Sequence, residues 1–246
     1  MKNEFHFRPI GVVCSPYKEK FAVPRQPNLV KQAKGIIQLY SEYSDPNAVK
    51  GLSGFSHIWL QFVFDQVPDN KWQASVRPPR LGGNDKIGVF ASRSPFRPNP
   101  IGLSVVELKS VDIGKEQISL HIQGLDLVDG TPILDIKPYV EYVDSIQNTA
   151  AGFVNGKPEQ INNVTFTPLA LDFLRRFSRD FDYEFELIKQ VLSQDPRPAY
   201  KKHKVDDKTY SVLLLDYDVK FNVLFSEQNQ TTAAIQVSQI VNVAKV

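Results

Sequence analysis

The chain has 246 residues, of which 42% are apolar and 23% charged, and its formal net charge is only +2. This length allows one large β domain or two smaller domains with a real core, and the charge excludes a polybasic nucleic-acid binder. Any binding of an anionic partner must therefore depend on local clusters of positive charge. A single cysteine, Cys14, excludes an internal disulfide framework and fits a reducing compartment. No apolar run is long enough for a signal peptide or a membrane span, so we expect a soluble, cytoplasmic protein.

The first half of the chain consists mainly of strand-like runs. Each run is rich in β-branched or aromatic residues and is bounded by proline, glycine, asparagine or aspartate. Apolar and polar residues roughly alternate along 103–111 and 117–122, which is typical of a sheet with one buried face. No long helical period intervenes, which favours an antiparallel sheet or barrel over a parallel sheet with crossover helices. The predicted strands span residues 7–13, 35–40, 57–64, 86–91, 102–111, 117–123 and 133–139.

The character of the sequence changes after the last of these strands. Residues 144–163 are polar and rich in glycine and asparagine, which predicts a linker or a long loop. The segment 167–196 is the only convincing helical region of the chain. Thr167 is a suitable N-cap and Pro168 suits the first helical position. Two apolar stripes with a break near 180–183 predict two short helices rather than one long helix.

Two or three further strands are predicted at the end of the chain, over 209–225 and 233–243. No glycine-rich dinucleotide or phosphate-loop motif follows any predicted strand. We therefore expect a mainly β protein that is not Rossmann-like. It would consist of a small single-sheet β-barrel domain over residues 1–145 and an α+β domain over residues 146–246.

The stretch 90–104, FASRSPFRPNPIGLS, is stiff and cationic. Its three prolines exclude a helix and make a central strand unfavourable. It overlaps a longer basic segment, 77–97. Proline-rich loops in this segment would hold arginines with little loss of conformational entropy. Guanidinium groups suit phosphate or carboxylate ligands, although solvated arginines at a sheet edge are the structural alternative. The cations of this segment are Arg77, Arg80, Lys86, Arg93 and Arg97.

Three other segments carry candidate binding chemistry. In 194–204 cations surround Tyr200, which suits a nucleic-acid backbone and a stacked base, or merely complements the dipole of a helix end. The segment 125–139 is acidic and apolar, contains Asp126, Asp129 and Asp135, and includes the turn DGTP. Asp129 either caps this turn or an acid there hydrogen-bonds a ribose or amino group. The segment 24–29 holds Arg25 beside prolines, which is also typical of a rigid surface loop.

The chain offers little for metal or nucleophilic chemistry. Its four histidines lie at no metal-ligand spacing and the only thiol is that of Cys14, so we expect no metal site. Cys14 has no evident partner for nucleophilic catalysis, and a structural or surface thiol is the simpler interpretation.

Taken together, these segments resemble the TrmO family, also called TsaA-like or YaeB. The resemblance covers nearly the whole chain, and the long, compositionally unusual motif RSPFRPNPIGLS carries it best. The matching stretches are SPYKEKFAVPRQP (15–27), GFSHIWL (54–60), RPPRLGG (77–83), GVFASRSPFRPNPIGLS (88–104), LDLVDGTPILDIKPY (125–139) and QDPRPAY (194–200).

The resemblance implies a fold and an activity. The family is known for S-adenosylmethionine-dependent methyltransferases that methylate the exocyclic N6 amine of threonylcarbamoyl-modified adenosine beside the tRNA anticodon. A β-barrel that binds the methyl donor, an α+β C-terminal part and a homodimer would be expected. The resemblance places the cofactor on Pro24, Arg25, Gln26, Asp65, Gln66, Arg93, Leu103, Asp126, Leu127, Val128 and Asp129.

With this activity, the basic clusters would bind tRNA phosphates and Tyr200 would stack a flipped-out base. The C-terminal cluster of one chain is expected to complete the site of the other, and neither DNA nor a membrane is expected as a partner. The predicted tRNA contacts are Arg77, Arg80, Lys86, Arg97, Arg197, Tyr200, Lys201 and Lys202.

Asn99 is the candidate catalytic residue. The accepting nitrogen is conjugated and weakly nucleophilic, so a carbonyl oxygen that accepts its N–H would help, and the amide of Asn99 is such an acceptor. RPNPIG loosely resembles the Asn-Pro-Pro-aromatic motif of other amino methyltransferases, from which Ile101 and Gly102 depart. A non-catalytic RNA-binding β-barrel and a methyltransferase acting on a small molecule remain the alternative functions.

Overall fold

The helices and strands follow the alternation and capping patterns of the sequence. The computed structural model describes residues 4–68, 72–82, 85–154, 156–198, 201, 207–225 and 232–243. Within these ranges the strands are β1 (Gly11–Cys14), β2 (Lys34–Leu39), β3 (His57–Val63), β4 (Ser75–Val76), β5 (Ile87–Gly88), β6 (Ile101–Ile113), β7 (Ile118–Gln123), β8 (Pro132–Pro138), β9 (Val164–Phe166), β10 (Tyr210–Leu214), β11 (Tyr217–Phe225) and β12 (Thr232–Asn242). The α-helices are α1 (Glu141–Asp144), α2 (Pro168–Phe177) and α3 (Phe181–Ser193), and 3₁₀ turns lie at Lys20–Ala22, Ser41–Tyr43, Leu52–Gly54, Pro79–Leu81 and Val89–Ala91.

Strands with one buried face close into an antiparallel barrel. In β3, for example, Ile58, Leu60 and Phe62 are buried in the barrel core and the intervening residues face outward. The strand order is β1–β2–β7–β6–β3–β8, and pairing of β8 with β1 completes the ring. Closure leaves no free edge in this sheet. The predicted β-barrel is confirmed.

A two-stranded sheet, β4 with β5, lies outside the barrel. The predicted strand over 86–91 is wrong beyond Gly88, because the chain turns there into the 3₁₀ turn Val89–Ala91. The guanidinium group of Arg97 stabilises this turn by donating to the carbonyl oxygens of Val89 (3.2 Å) and Ser92 (2.9 Å). Hydrogen bonds from a side chain a few residues later therefore stabilise a turn in a run whose residue types favour extended structure.

The second half of the chain forms a four-stranded sheet with α2 and α3. The sheet order is β10–β11–β12–β9, with β9 parallel to β12 and the other pairs antiparallel. Thr167 accepts a hydrogen bond from the backbone of Ala170 (3.3 Å), so the predicted N-cap with Pro168 after it is confirmed. Asp180 caps α3 by accepting from Tyr183 (3.1 Å), which starts the second predicted helix. The mainly β, α+β class is thus confirmed, while the exact boundary at 145/146 stays a prediction.

A segment that follows β1 joins the barrel to this second sheet; residues 15–32 are called the linking segment below. Its main chain pairs with β10 and the residue after it, since Leu215 N donates to Pro16 O (2.7 Å) and Lys18 N donates to Leu213 O (3.4 Å). Its other end contacts α3, because Gln32 N donates to Oε1 of Gln190 (3.1 Å). Buried side chains of both halves consequently form one continuous hydrophobic core.

Among the described residues, no helix combines the length and the apolar composition that crossing a bilayer requires.

Candidate active site

Arg93 brings together three distant parts of the chain at one end of the barrel. Its Nη1 donates to Oε1 of Gln26 in the linking segment, and its Nη2 donates to the carbonyl oxygen of Leu103 in β6 (3.3 Å). The side chain is nevertheless exposed. A guanidinium group has five N–H donors, so this one is held in place and still has donors left for an anionic ligand.

Asp126 places a carboxylate within electrostatic range of this arginine. Its Oδ1 accepts a hydrogen bond from Oγ of Ser104 (2.7 Å), which lies on the inner face of β6 and is buried. Burial raises the pKa of Asp126 to about 6, although the Ser104 bond and the positive charge of Arg93 both act to lower it. The site therefore holds a fixed cation and a carboxylate that titrates near neutral pH. We call Gln26, Arg93, Leu103, Ser104 and Asp126 the barrel-end site.

The close approach of β6 to β3 depends on a glycine at the start of β6. A Cβ atom on Gly102 would collide with the ring of Phe62, which fills the core at this end of the barrel. Just before β6, the carbonyl oxygen of Pro100 accepts a hydrogen bond from N of Phe64 (2.8 Å), the residue that follows β3. The glycine in the motif RPNPIGLS therefore permits the packing that positions the neighbouring Leu103 and Ser104.

The turn after Asp126 is fixed against β1 and the linking segment. Both carboxylate oxygens of Asp129 are engaged, Oδ1 by Ser15 N (2.7 Å) and Oδ2 by Nζ of Lys18 (2.8 Å). Ser15 Oγ also donates to the carbonyl oxygen of Leu127 (2.7 Å), and Val128 O accepts from Oγ1 of Thr131 (2.7 Å). The Asp129 side chain thus stabilises the turn, and the backbone around it is pre-positioned.

Two other predicted cofactor residues lie after β3, at the same end of the barrel. Asp65 and Gln66 are exposed, and Nζ of Lys20 in the linking segment donates to Gln66 O (2.7 Å). Pro24 is buried, whereas Arg25 is exposed. Partial desolvation of the guanidinium group lowers the pKa of Arg25, although the charge of Asp195 acts to raise it; the charge of Arg80 acts to lower it further.

The side chain of Asn99, the predicted catalytic residue, is exposed. Its main-chain oxygen accepts from Ile101 N (2.8 Å), which starts β6. Since the adjacent Pro100 bonds to Phe64 at the end of β3, Asn99 lies at the same barrel end as Asp65 and Gln66. The amide is thus accessible to a substrate approaching the barrel-end site.

The first basic cluster is exposed and approaches the second domain. Arg77, Arg80 and Lys86 are all at the surface. Nη1 of Arg80 donates to the carbonyl oxygen of Gly156 (2.7 Å), in the segment between the two domains. The first basic cluster is therefore tied to the segment that precedes β9.

Arg197 corrects one of the predicted tRNA contacts. Its side chain is fully buried, with Nε 2.8 Å from Oδ1 and Nη2 2.9 Å from Oδ2 of Asp195. Its guanidinium group also lies 5.7 Å from the ring centroid of Phe225. A group enclosed in this way cannot reach a phosphate, so the prediction of a tRNA contact for Arg197 is wrong and its role is structural.

The remaining predicted tRNA contacts differ in how exposed their side chains are. Arg97 is half-buried and uses Nη1 inside the fold, which leaves its other N–H groups for a ligand. Lys201 is half-buried. Tyr200 and Lys202 lie outside the described residues, so their predicted roles stay predictions.

Sequence reasoning missed two residues of this region. Ser104 could have been found, because the alternation in GLSVV places a serine at a buried position of β6, and buried hydroxyl groups need a partner. Tyr17 could not have been found from its neighbours alone. It is fully buried, its hydroxyl has no hydrogen-bond partner in the described part of the chain, and burial and the charge of Asp126 raise its pKa.

Comparison with known proteins assigns the family. The family model described as the tRNA-methyltransferase O N-terminal domain matches residues 12–145, and the TrmO C-terminal domain matches residues 158–240. The chain belongs to the TrmO family. No group of three or more histidine, cysteine, aspartate or glutamate side chains that could hold a metal ion occurs in the described ranges.

Relatives and solved structures of the TrmO family resemble the chain over most of its length. It is 48% identical to the tRNA (adenine(37)-N6)-methyltransferase of Escherichia coli strain K12, covering 90% of this chain and 94% of that protein. It is 43% identical to a Pseudomonas aeruginosa protein provisionally named an S-adenosylmethionine-dependent methyltransferase, covering 87% and 90%. A crystal structure of TrmO from P. aeruginosa superposes with a TM-score of 0.79 at 34% identity, covering 98% of this chain and all of that one.

Proposed function

We propose that the protein is an S-adenosylmethionine-dependent methyltransferase that modifies the exocyclic N6 amine of an adenosine in tRNA. Membership of the TrmO family and the name of the E. coli relative support this activity. The single observation that carries it is the barrel-end site, in which hydrogen bonds hold Arg93 and its positive charge acts on the carboxylate of Asp126. The substrate we propose is threonylcarbamoyl-modified adenosine beside the anticodon.

The residues of the barrel-end site fit the polar groups of the cofactor. S-adenosylmethionine supplies an electrophilic methyl group on a sulfonium centre. The free donors of Arg93 suit its carboxylate, and the carboxylate of Asp126 suits an ammonium group or ribose hydroxyls. The rest of the cofactor surface is proposed to consist of Pro24, Arg25, Gln26, Asp65, Gln66, Leu103 and the backbone of Asp126, Leu127, Val128 and Asp129.

The chain's own contribution to methyl transfer is mainly positioning. Displacement at a methyl group requires close alignment of the reacting atoms, and fixed side chains provide it at no cost during the reaction. Hydrogen bonds hold Arg93 and Asp126 before any ligand arrives. The amide oxygen of Asn99 is proposed to accept the N–H of the target amine, which avoids placing an unpaired charge against the base.

The proposed tRNA surface combines the two basic clusters. Exposed Arg77, Arg80 and Lys86 bind phosphates, and Lys201 with the undescribed Tyr200 and Lys202 extends the surface. The anticodon loop is the proposed target, because its unstacked bases are accessible to an enzyme. We also propose a homodimer in which the C-terminal cluster of one chain completes the site of the other, working in the cytoplasm.

A methyl-transfer assay tests this function. Purified protein is mixed with S-adenosylmethionine carrying a labelled methyl group and with bulk tRNA that lacks the modification, and the labelled nucleoside is identified. Arg93→Ala should lose the label. Arg176→Ala is the matched control, because Arg176 is an exposed arginine of α2 whose side chain pairs with Asp172.

Three results are informative. Label in a modified adenosine next to the anticodon, absent with Arg93→Ala but present with Arg176→Ala, supports the function and the site. Cofactor binding without label in tRNA contradicts the proposed substrate and favours a small-molecule acceptor. Absence of both cofactor binding and label leaves only the non-catalytic RNA-binding alternative.

A further inference from the structure

Phe90 is a large aromatic residue that the fold leaves at the surface. Its side chain is 75% exposed, whereas the preceding Val89 is buried at 1% exposure. The residue lies in the middle of the 3₁₀ turn Val89–Ala91, three positions before Arg93. An apolar ring held so far out of the core gains little from folding. Because a single exposed apolar residue is common at protein surfaces, the groups around the ring decide what it can bind.

The backbone on both sides of Phe90 is fixed. Val89 N donates to Ala74 O (3.0 Å), which ties the turn to the β4 region. Val89 O accepts from both the backbone N and Oγ of Ser92, at 3.1 and 2.8 Å. The ring is therefore presented by a rigid turn rather than by a flexible loop, and little conformational entropy would be lost when a ligand binds it.

Arg97 supports the ring from one side. Its guanidinium carbon lies 5.6 Å from the Phe90 ring centroid, within the range of a cation–π contact. Nη1 of the same guanidinium group donates to Val89 O and Ser92 O, so the cation is anchored to the turn that carries the ring. With one side of the ring facing this cation, most of the ring surface remains accessible to a planar ligand.

The residues around Phe90 indicate which kind of ligand its ring would bind. Arg93 and Asn99 lie in the same proline-rich segment, and Arg77 follows β4, the strand that pairs with β5 immediately before the turn. An exposed ring among cations matches a nucleobase with its phosphate backbone better than it matches an apolar protein surface. Single-stranded RNA loops are read by stacking of their bases on such aromatic rings.

We infer that Phe90, backed by Arg97, is the stacking platform for a base of the tRNA loop beside the modified adenosine. This inference rests on the proposed function and adds a residue that recognises the substrate. Phe90 would contribute to tRNA affinity through the area and π surface of its ring. It would contribute little to cofactor affinity, because the cofactor groups are bound by the barrel-end site.

Substitutions at Phe90 test the inference in the full-length protein. Phe90→Ala removes the ring, Phe90→Leu keeps an apolar side chain without a π surface, and Phe90→Trp keeps a stacking ring. Phe5→Ala is the matched control, since Phe5 is 78% exposed and precedes β1. The chain of β1 runs toward the barrel-end site, so Phe5 precedes the end of β1 that is farther from this site.

For each variant we would measure the Kd for tRNA, the KM for tRNA in methyl transfer, the Kd for S-adenosylmethionine and the oligomeric state. Phe90→Ala and Phe90→Leu should weaken tRNA binding by between about 5-fold and 150-fold, as loss of one stacked base does. Phe90→Trp and Phe5→Ala should bind tRNA like the wild type. Cofactor affinity and oligomeric state should be unchanged in all four variants.

Several results would overturn the inference. Wild-type affinity of Phe90→Leu would show an apolar contact rather than stacking, and wild-type affinity of Phe90→Ala would show no contact at all. A change of oligomeric state in Phe90→Ala would show that a second copy of the chain covers the ring. Failure of the wild-type protein itself to bind tRNA would instead refute the proposed function together with this platform.

Discussion

The pKa of Asp126 is set by effects that oppose each other. Burial favours its neutral form and raises its pKa to about 6, while the hydrogen bond from Ser104 and the charge of Arg93 favour the carboxylate. Only the carboxylate can pair with a cationic or hydroxyl donor of the cofactor. We expect the affinity for S-adenosylmethionine to fall as the pH decreases through about 6. Asp126→Asn should bind more weakly at pH 7.5 and lack this pH dependence, which calorimetric titrations between pH 5 and pH 8 would measure.

The raised pKa of Asp126 also predicts the direction in which the free energy of unfolding changes with pH. The native state binds this proton more tightly than the unfolded state, whose carboxyl group titrates near 3.8. The contribution of Asp126 to the free energy of unfolding therefore falls as the pH rises from about 4 to 6, by at most about 3 kcal/mol. Urea unfolding of wild type and Asp126→Asn should diverge over this window. Parallel curves would contradict the assignment of the pH effect to Asp126.

Arg197 is expected to affect stability and not tRNA affinity. Arg197→Ala would leave the buried carboxylate of Asp195 without its partner, and breaking such a pair destabilises by about 3–5 kcal/mol. Arg176→Ala removes an exposed pair and should change the free energy of unfolding by about 0.5 kcal/mol or less. Denaturant midpoints would show the difference. Equal stability of the two variants would indicate that Arg197 is not held as the structure shows.

Among individual residues, the sequence predicts some members of the site and not others. The resemblance of the proline-rich motifs to a family indicated Gln26, Arg93 and Leu103, and the structure brings these three together. Arg197 was misassigned because its environment depends on the burial of Asp195 two residues earlier and on the distant ring of Phe225. A charge cluster in a sequence does not reveal which of its members the fold encloses.

At the scale of elements, β6 depends on the absence of one side chain. Gly102→Ala would place a methyl group against the ring of Phe62, so either the ring or the strand must move. Overpacking of this kind costs about 1–3 kcal/mol, and it would also displace Leu103 and Ser104. We expect a lower Tm and weaker cofactor binding. Gly88→Ala is the control, because a Cβ there meets nothing within 4 Å and the backbone φ is an ordinary −58°.

Elements with a clear period were predictable and short irregular ones were not. Alternation located β7 closely, since burial of one face leaves a period of two, and β-branched and aromatic residues located β3. Capping residues located α2, because Thr167 and Pro168 act through neighbouring backbone groups. The predicted strand is wrong after Gly88, since hydrogen bonds from Ser92 and Arg97 hold a turn there that residue types do not reveal.

At the scale of the whole molecule, charge is distributed so that a nearly neutral chain can bind a polyanion. The net charge is +2, yet Arg77, Arg80 and Lys86 are exposed within one short part of the chain. Binding of tRNA should therefore weaken steeply with salt, because each phosphate contact releases counterions. Arg77→Ala should weaken binding and reduce the slope of log K against log salt by about one. Arg176→Ala should leave the slope unchanged; a lower slope there would indicate non-specific attraction.

The docking of the two domains was the least predictable feature. The sequence predicted a barrel followed by an α+β part, but nothing in it shows that residues after β1 pair with β10. The contact between Tyr17 and Leu214 is an isolated bridge formed by residues far apart in the chain. It depends on a common core rather than on a local pattern, so no periodicity or turn signal reports it.

The linking segment therefore contacts both domains and also contributes to the proposed cofactor surface. A ligand that binds only the native state stabilises everything that unfolds together with its site. We expect saturating S-adenosylmethionine to slow hydrogen exchange at the amides of Leu213 and Leu215, which pair with the linking segment and do not line the barrel-end site. Since proteases act on opened states, the supply of methyl donor would then set the lifetime of the enzyme in the cell as well as its rate.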